Sequence, residues 1–300
     1  MQQGKILSIQ CLRAIAAALV ALFHAQNQAA IYCAKYDLES ALLNVVPTVR
    51  IFGASGVDIF FVISGFVMAY VTRRHRGNFD YAPIFLKKRV IRIIPIYWIW
   101  TSLFVIILLF APHLFRNSVF ELRGTIFSYL MLPYTPEGSY NAPVLPVGWT
   151  LWFEMYFYVL VACGLILKER TFFALLGVFF AVCVGFGDYL PFSGKFVWVM
   201  TNPLLFEFLA GFGLGVFVSM KIKTPGWSPI LVLSLTLALY ALWFTQAAPI
   251  HIGIPSALLV IGSVLVDKSY DLRYPKVLLA LGDSSYSLYL TNFFVGPAVV

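Results

Sequence analysis

Charge is what this chain has least of. Only 11% of its 300 residues are Asp, Glu, Lys or Arg, against about 25% in a soluble domain. Hydrophobic residues make up 61%, and mean hydropathy is +0.86. A 33.7 kDa soluble fold cannot be built with so little polar skin, so the bilayer must be part of the solvent. Acidic residues are scarcer than basic ones, 13 against 21, for a net charge of +8. The basic residues sit in short loops between apolar runs, as the positive-inside rule requires, and this placement excludes nucleic acid as the partner. The four cysteines, Cys11, Cys33, Cys163 and Cys183, are too far apart for a metal pair or a disulfide framework and read as small packing residues. No cleavable signal peptide is expected, because the first apolar run is long and carries polar groups. Internal repeats, low-complexity tracts and a separate soluble domain are also missing.

What is present is a series of nine apolar runs, at 8–30, 50–72, 90–111, 147–167, 171–187, 196–220, 228–245, 249–266 and 276–298. Each approaches the roughly 20 residues that a membrane-crossing helix needs. The expected fold is all-α, a polytopic transmembrane helix bundle of about nine or ten spans. Residues 120–133 are apolar but interrupted by Glu121 and Arg123, and read as an interfacial or re-entrant piece. Fifteen Lys and Arg fall in alternate loops, seven of them between Arg73 and Arg92; five fall in the other set. That bias puts the N-terminus and the 73–92 loop in the cytoplasm of a cell whose inner membrane holds the chain. The chain stops at Val300 within an apolar run: either the last helix ends at the outer surface, or a further helix is missing.

Ionisable residues inside spans are functional candidates by default. Here they are Arg13, His24, Asp58, Glu154, Glu207 and Asp283. Arg13 and His24 are eleven residues apart on one helix, hence on one face and about 16 Å apart along the axis. Counted from the span ends, His24, Asp58 and Glu154 reach a similar depth on three helices. A neutral histidine beside a carboxylate is a ready general base, so His24, Glu154 and Asp58 are the catalytic candidates. The plainer reading of His24 is a helix-bridging hydrogen bond, and that of Arg13 a snorkelling arginine. Arg89 and Arg92 share a helical face where the chain re-enters the membrane, a fork suited to a phosphate-bearing ligand. Lys87 and Lys88 read as a topology signal. Gly211, Gly213 and Gly215 suit close helix packing, and Trp149 and Trp152 an aromatic belt at the outer interface. Glu207 and Asp283 read equally as structural pairs or as cavity-lining groups.

Five segments carry a family pattern: SIQCLRAIAAALVALFH (8–24), GVDIFFVISGFVMA (56–69), FLKKRVIRIIPIYW (85–98), GWTLWFEMYFY (148–158) and LGDSSYSLYLTN (281–292). In this order the chain resembles the acyltransferase-3 family of membrane O-acyltransferases, and within it the branch that acetylates bacterial exopolysaccharides. The resemblance implies about ten helices with both ends cytoplasmic, and a single membrane-embedded acyltransferase domain over 1–300 lacking a final helix. It implies acyl-CoA, usually acetyl-CoA, as donor, no metal, and a hydroxyl of a polysaccharide or lipid-linked sugar as acceptor. The family's catalytic histidine falls on His24 and its first-helix arginine on Arg13. The arginine pair falls on Arg89 and Arg92, and the acidic residue of the tryptophan segment on Glu154. Many members carry a histidine where this chain has Asn292.

Together these readings describe an enzyme in which coenzyme A phosphates dock on Arg89, Arg92 and Arg13. His24 deprotonates the acceptor or carries the acyl group itself, with Glu154, or Asp58, orienting the imidazole. The alternative is a proton-coupled or anion transporter using the same intramembrane groups; a membrane component of an assembly complex, without chemistry, is the third. The oligomeric state is left open. Incubating membranes with acetyl-labelled acetyl-CoA separates the first two. An enzyme moves label onto polysaccharide, whereas a porter moves its substrate without covalent change.

Overall fold

The structure, a computed structural model, describes residues 6–35, 41–115, 120–134, 143–189, 194–220, 225–243 and 249–295. Lys5, Arg116, Lys221 and Lys223 of the charge count, and the chain end at Val300, lie outside them. In hydrocarbon each backbone N–H and C=O must be satisfied within its own segment, so apolar runs become helices. In chain order these are α1 (Leu7–Lys35), α2 (Ala41–Thr72), α3 (Ala82–Phe110) and α4 (Leu122–Tyr129). They continue with α5 (Trp149–Cys163), α6 (Glu169–Gly185), α7 (Lys195–Met200) and α8 (Leu205–Ser219). The last four are α9 (Ser228–Trp243), α10 (Pro249–Ser269), α11 (Lys276–Asp283) and α12 (Ser285–Val295). Among the described residues there is no strand.

Within the described residues each of the nine expected runs is helical, but two are broken. The 196–220 run turns between α7 and α8, where the Asn202 side chain accepts from the Leu204 N–H at 3.0 Å and Pro203 follows. The 276–298 run breaks at Ser284. Among the described residues, five helical segments are long and apolar enough to cross a membrane: Leu7–Ala30, Gly53–His75, Phe79–Phe110, Pro146–Ile166 and Lys195–Ser219. With 17 and 16 residues, α6 and α9 are shorter. The second of the five is the most enclosed by protein and the third the least. Accordingly Ile91, Ile99 and Phe110 of α3 are exposed, as side chains facing lipid must be.

By contact the chain divides into two compact units, Met1–Tyr70 with Glu207–Asn292, and Val71–Phe206 with Phe293–Val300. The core of the first joins Leu12 and Ala16 of α1, Val62 and Phe66 of α2, and Val260 and Val264 of α10. The spacing of four within each pair is the stripe of one helix face. Lipid tails are as apolar as these side chains, so what joins the helices is close van der Waals packing, which small residues permit. Gly53 of α2 lies against Phe23 and Gly56 against the Ala16 carbonyl, so α1 and α2 run antiparallel. Gly211 of α8 lies on the Val62 carbonyl, Gly65 of α2 on the Phe208 carbonyl, and Gly215 on Ala69, so α2 and α8 run parallel. At the start of α1, the Asp267 carboxylate of α10 accepts from the Ser8 N–H at 2.9 Å, satisfying a backbone donor with no partner in its own helix. The Tyr274 hydroxyl donates to the same carboxylate; burial, helped by this partner, pushes that phenol up from its ordinary range.

In the second unit α3 packs on α5. The expected interfacial piece is α4, docked on α3 by the Trp98 Nε1–H donating to the Tyr129 carbonyl at 2.9 Å. The Glu121 side chain caps it, accepting from the Gly124 N–H at 3.1 Å. Arg76, from the basic loop after α2, has a structural place. Its guanidinium donates to the Gly164 carbonyl and to Thr72 Oγ1, both at 3.0 Å, and lies over the Phe172 ring at 4.4 Å. Burial brings it down to about 10, with the Glu169 charge opposing.

The crossing of α2 and α8 is tight enough to test. A Cβ on Gly65 would sit 2.0 Å from the Phe208 carbonyl oxygen, and one on Gly211 1.9 Å from that of Val62. Neither oxygen can rotate away. Gly65→Leu and Gly211→Leu are each expected to lower stability by at least 1–3 kcal/mol, roughly the overpacking range. The readout is the midpoint of detergent-solubilised unfolding and the folded amount in membranes. An unchanged midpoint for both would refute the crossing.

Candidate active site

Of the residues assigned to catalysis and donor binding, Arg13, His24 and Asp58 fall in the first unit and Glu154, Arg89 and Arg92 in the second. In the first, α1 carries Arg13 and His24 on one uninterrupted helix, both half-buried. The His24 ring stands edge to face against Phe23, with centroids 5.3 Å apart. Phe23 is also where Gly53 meets α1, so the histidine is level with Gly53. Asp58 is five residues further along α2, about 7.5 Å along the axis.

Asp58 is buried and its carboxyl is hydrogen-bonded to that of Glu207 on α8, also buried. The helix crossing explains the pairing. Asp58 lies one turn before Val62, and Glu207 one turn before Gly211, so the two carboxyls occupy the next level of the same parallel crossing. Polar groups gather round them. The Tyr240 hydroxyl of α9 bonds Ser256 of α10 at 3.0 Å and Ser55 of α2, close enough to feel both carboxyls. Gly253 of α10 lies against the Glu207 side chain, where an added Cβ would sit 3.0 Å from Oε1. Glu207 Oε2 is buried and has no hydrogen-bond partner among the described residues.

In the second unit, the other three candidates meet through a residue that sequence reasoning passed over. The buried Tyr158 hydroxyl donates to Glu154, one turn earlier on α5. The same hydroxyl lies within electrostatic reach of Arg89 and Arg92 on α3. The Tyr158 ring meets Phe85 edge to face at 6.2 Å, and Phe85 underlies the Arg89 guanidinium at 5.6 Å. Arg89 is half-buried, and its Nε has no hydrogen-bond partner among the described residues; Arg92 is exposed. Seven and ten residues into α3, the pair lies about 10 and 15 Å from the helix start. A phenol, a carboxylate and two guanidinium groups thus form one charged cluster on α3 and α5. It suits an anionic ligand held by the arginines, with the carboxylate anchored by the phenol.

Other expected features differ in detail. Gly211 and Gly215 pack against α2, as their spacing predicts. Trp149 joins Phe153 and Trp198 in an aromatic cluster, with ring centroids 5.2–6.0 Å apart. Trp152 is buried instead of forming a belt. Asn292 is buried, and its amide has no hydrogen-bond partner among the described residues. Tyr158 was legible as an i, i+4 neighbour of Glu154. Glu207 was visible as an intramembrane carboxyl, but nothing in the sequence pairs it with Asp58.

No solved structure matches this chain. Two characterised sequences resemble it. The exopolysaccharide production protein ExoZ of Rhizobium meliloti (strain 1021) is 34% identical over 254 residues, which cover 81% of this chain and 76% of that protein. The acyltransferase MdmB of Streptomyces mycarofaciens is 28% identical over 316 residues, covering 96% and 78%. The family model described as an acyltransferase domain matches residues 6–299, so it draws on both units. With the helical bundle and its intramembrane polar groups, that match makes this chain a member of the acyltransferase-3 family, a membrane-embedded acyltransferase.

Proposed function

We propose that this enzyme moves an acetyl group from acetyl-CoA to a hydroxyl of a cell-surface polysaccharide or lipid-linked sugar. It would work in the cytoplasmic membrane with its N-terminus inside, both units serving one acyltransferase domain. The observation that carries the reading is the arginine pair beside Tyr158 and Glu154. An acyl donor bearing phosphates needs fixed cations, and guanidinium groups on one helical face bind phosphate in a fork. The name of the Rhizobium relative supports the class of acceptor. Membership of an acyltransferase family sets the transporter reading aside.

In this reading Arg89 and Arg92 bind the phosphates of the donor, and Arg13 is a further candidate for that role. His24 takes the proton of the acceptor hydroxyl as its oxygen attacks the thioester carbonyl. The carbon–sulfur bond then breaks, and the proton passes to the departing coenzyme A thiolate. The covalent variant places the acyl group on the imidazole first and releases it to the hydroxyl second, with the same overall balance. Glu154 and Asp58 are the acidic groups that support charge on the machinery.

Transfer is measured in membranes with labelled acetyl-CoA at matched enzyme abundance. His24→Ala is expected to lower turnover by about 10²–10⁴-fold, the usual contribution of a general base. Wild-type turnover would remove His24 from the chemistry. Arg89→Ala and Arg92→Ala should each raise KM for acetyl-CoA by about tenfold or more, since a hydrogen bond to a charged group contributes roughly 1.5–3 kcal/mol. An unchanged KM in both would separate these arginines from the donor. Mass spectrometry of surface glycans, comparing a deletion strain with one complemented by this chain, identifies the acceptor. Identical acetylation in the two strains would overturn the polysaccharide assignment.

A further inference from the structure

The proposed mechanism makes no use of Glu207, yet it and Asp58 are the buried carboxyl groups among the described residues, Glu207 at 6% exposed. A carboxyl placed in a bilayer is costly unless its partners are in place. Glu207 has one partner, the Asp58 carboxyl, and one oxygen, Oε2, with none among the described residues. A hydrogen bond between two carboxyl groups requires a proton between them, so this contact is a directional link between α2 and α8. It sits at the next level of the crossing where the two backbones touch at Gly65 and Gly211. From the same helix α2, Gly53 and Gly56 bear on α1 at Phe23 and Ala16. Cβ atoms there would come within 2.6 Å of Phe23 Cβ and 2.5 Å of the Ala16 carbonyl oxygen. Close-packed contacts of this kind transmit displacement with little slack. Whatever fixes α2 against α8 therefore fixes the stretch of α1 that presents His24.

We propose that Glu207 is a positioning residue for acyl transfer. Its carboxyl holds Asp58, and through the glycine contacts of α2 it sets the placement of the His24 imidazole. The inference rests on the reading of His24 as the reacting base. Tyr240, bonded to Ser55 and Ser256, lies within electrostatic reach of the pair, and Gly253 lies against the Glu207 side chain. The requirement on residue 207 is a hydrogen-bonding head at the right reach. Glu207→Gln keeps such a head; Glu207→Ala removes it.

The test compares kcat with KM for acetyl-CoA in membranes, at matched abundance, for Glu207→Ala, Glu207→Gln, Asp58→Ala and the Asp58→Ala/Glu207→Ala double variant. Misplacing a reacting group by about 1 Å costs on the order of 10²-fold in rate. Glu207→Ala should lower kcat on that scale and leave KM for the donor nearly unchanged, because Arg89 and Arg92, on α3, are untouched. Glu207→Gln should restore most of the loss. The double variant should be no slower than the slower single variant, as for groups acting as a unit. Should Glu207→Ala fail to accumulate, Glu207→Asp withdraws the carboxyl by one methylene and should show the same split. Wild-type kcat in the shortened variant, a Gln variant as impaired as Ala, or additive losses in the double variant would each overturn the proposal. His24→Ala assayed alongside separates the two levels. If that variant is inactive while Glu207→Ala is not, this inference alone fails; if His24→Ala is active, the functional reading fails first.

Discussion

A polar group inside a bilayer has no water to fall back on, and that single constraint organises this protein. Backbone groups meet it by forming helices. Side chains meet it by finding each other: Asp58 with Glu207, Tyr158 with Glu154, Asp267 with the first turn of α1. The two pairings that join different helices, Asp58 with Glu207 and Asp267 with the start of α1, also help to fix which helices are neighbours and in what register. Apolar packing gives no such discrimination, since a leucine is as well solvated by lipid as by another leucine. The polar pairs therefore specify the arrangement, and the glycine contacts bring the helices close enough for the pairs to form.

The two requirements meet on α2. It is the most enclosed of the candidate spans, and it touches α1 on one side and α8 on the other through positions without side chains. A helix held backbone to backbone on two sides is a poor place to tolerate motion and a good place from which to hold others. In contrast α3 is the most lipid-exposed span, and it carries the arginine pair on a helix that also packs on α5. The rigid support and the cationic surface thus belong to different compact units of the chain.

The helical membrane bundle was legible in the sequence because its signal is length and apolarity, which a window of residues contains in full. The breaks were not, although each has a local cause. The Asn202 turn ahead of α8 and the Ser284 interruption fall within runs whose apolar residues continue on both sides of the break. Candidate positions could be found the same way, as polar residues out of place. Their partners could not. Counting residues from the assumed span ends put Asp58, His24 and Glu154 at a common depth. Depth, however, says nothing about which helices are neighbours: the Asp58 carboxyl meets α8, and that of Glu154 meets Tyr158 of its own helix. The five motif segments, which together carry the family resemblance, pointed to the chemistry more directly than any geometric count.

The tyrosine beside Glu154 shows what a membrane site needs beyond charge. A carboxylate near two guanidinium groups in a low dielectric tends to collapse onto one of them, and a collapsed pair has less field left for a ligand. A phenol donating to the carboxylate stabilises its charge without adding any, and competes with the guanidinium groups for its oxygens. Tyr158 is suited to that task by burial and by a ring packed against Phe85, which also underlies Arg89. The same aromatic layer thus supports the group that steadies the acid and one of the bases. That arrangement keeps opposite charges close while leaving Arg92 exposed.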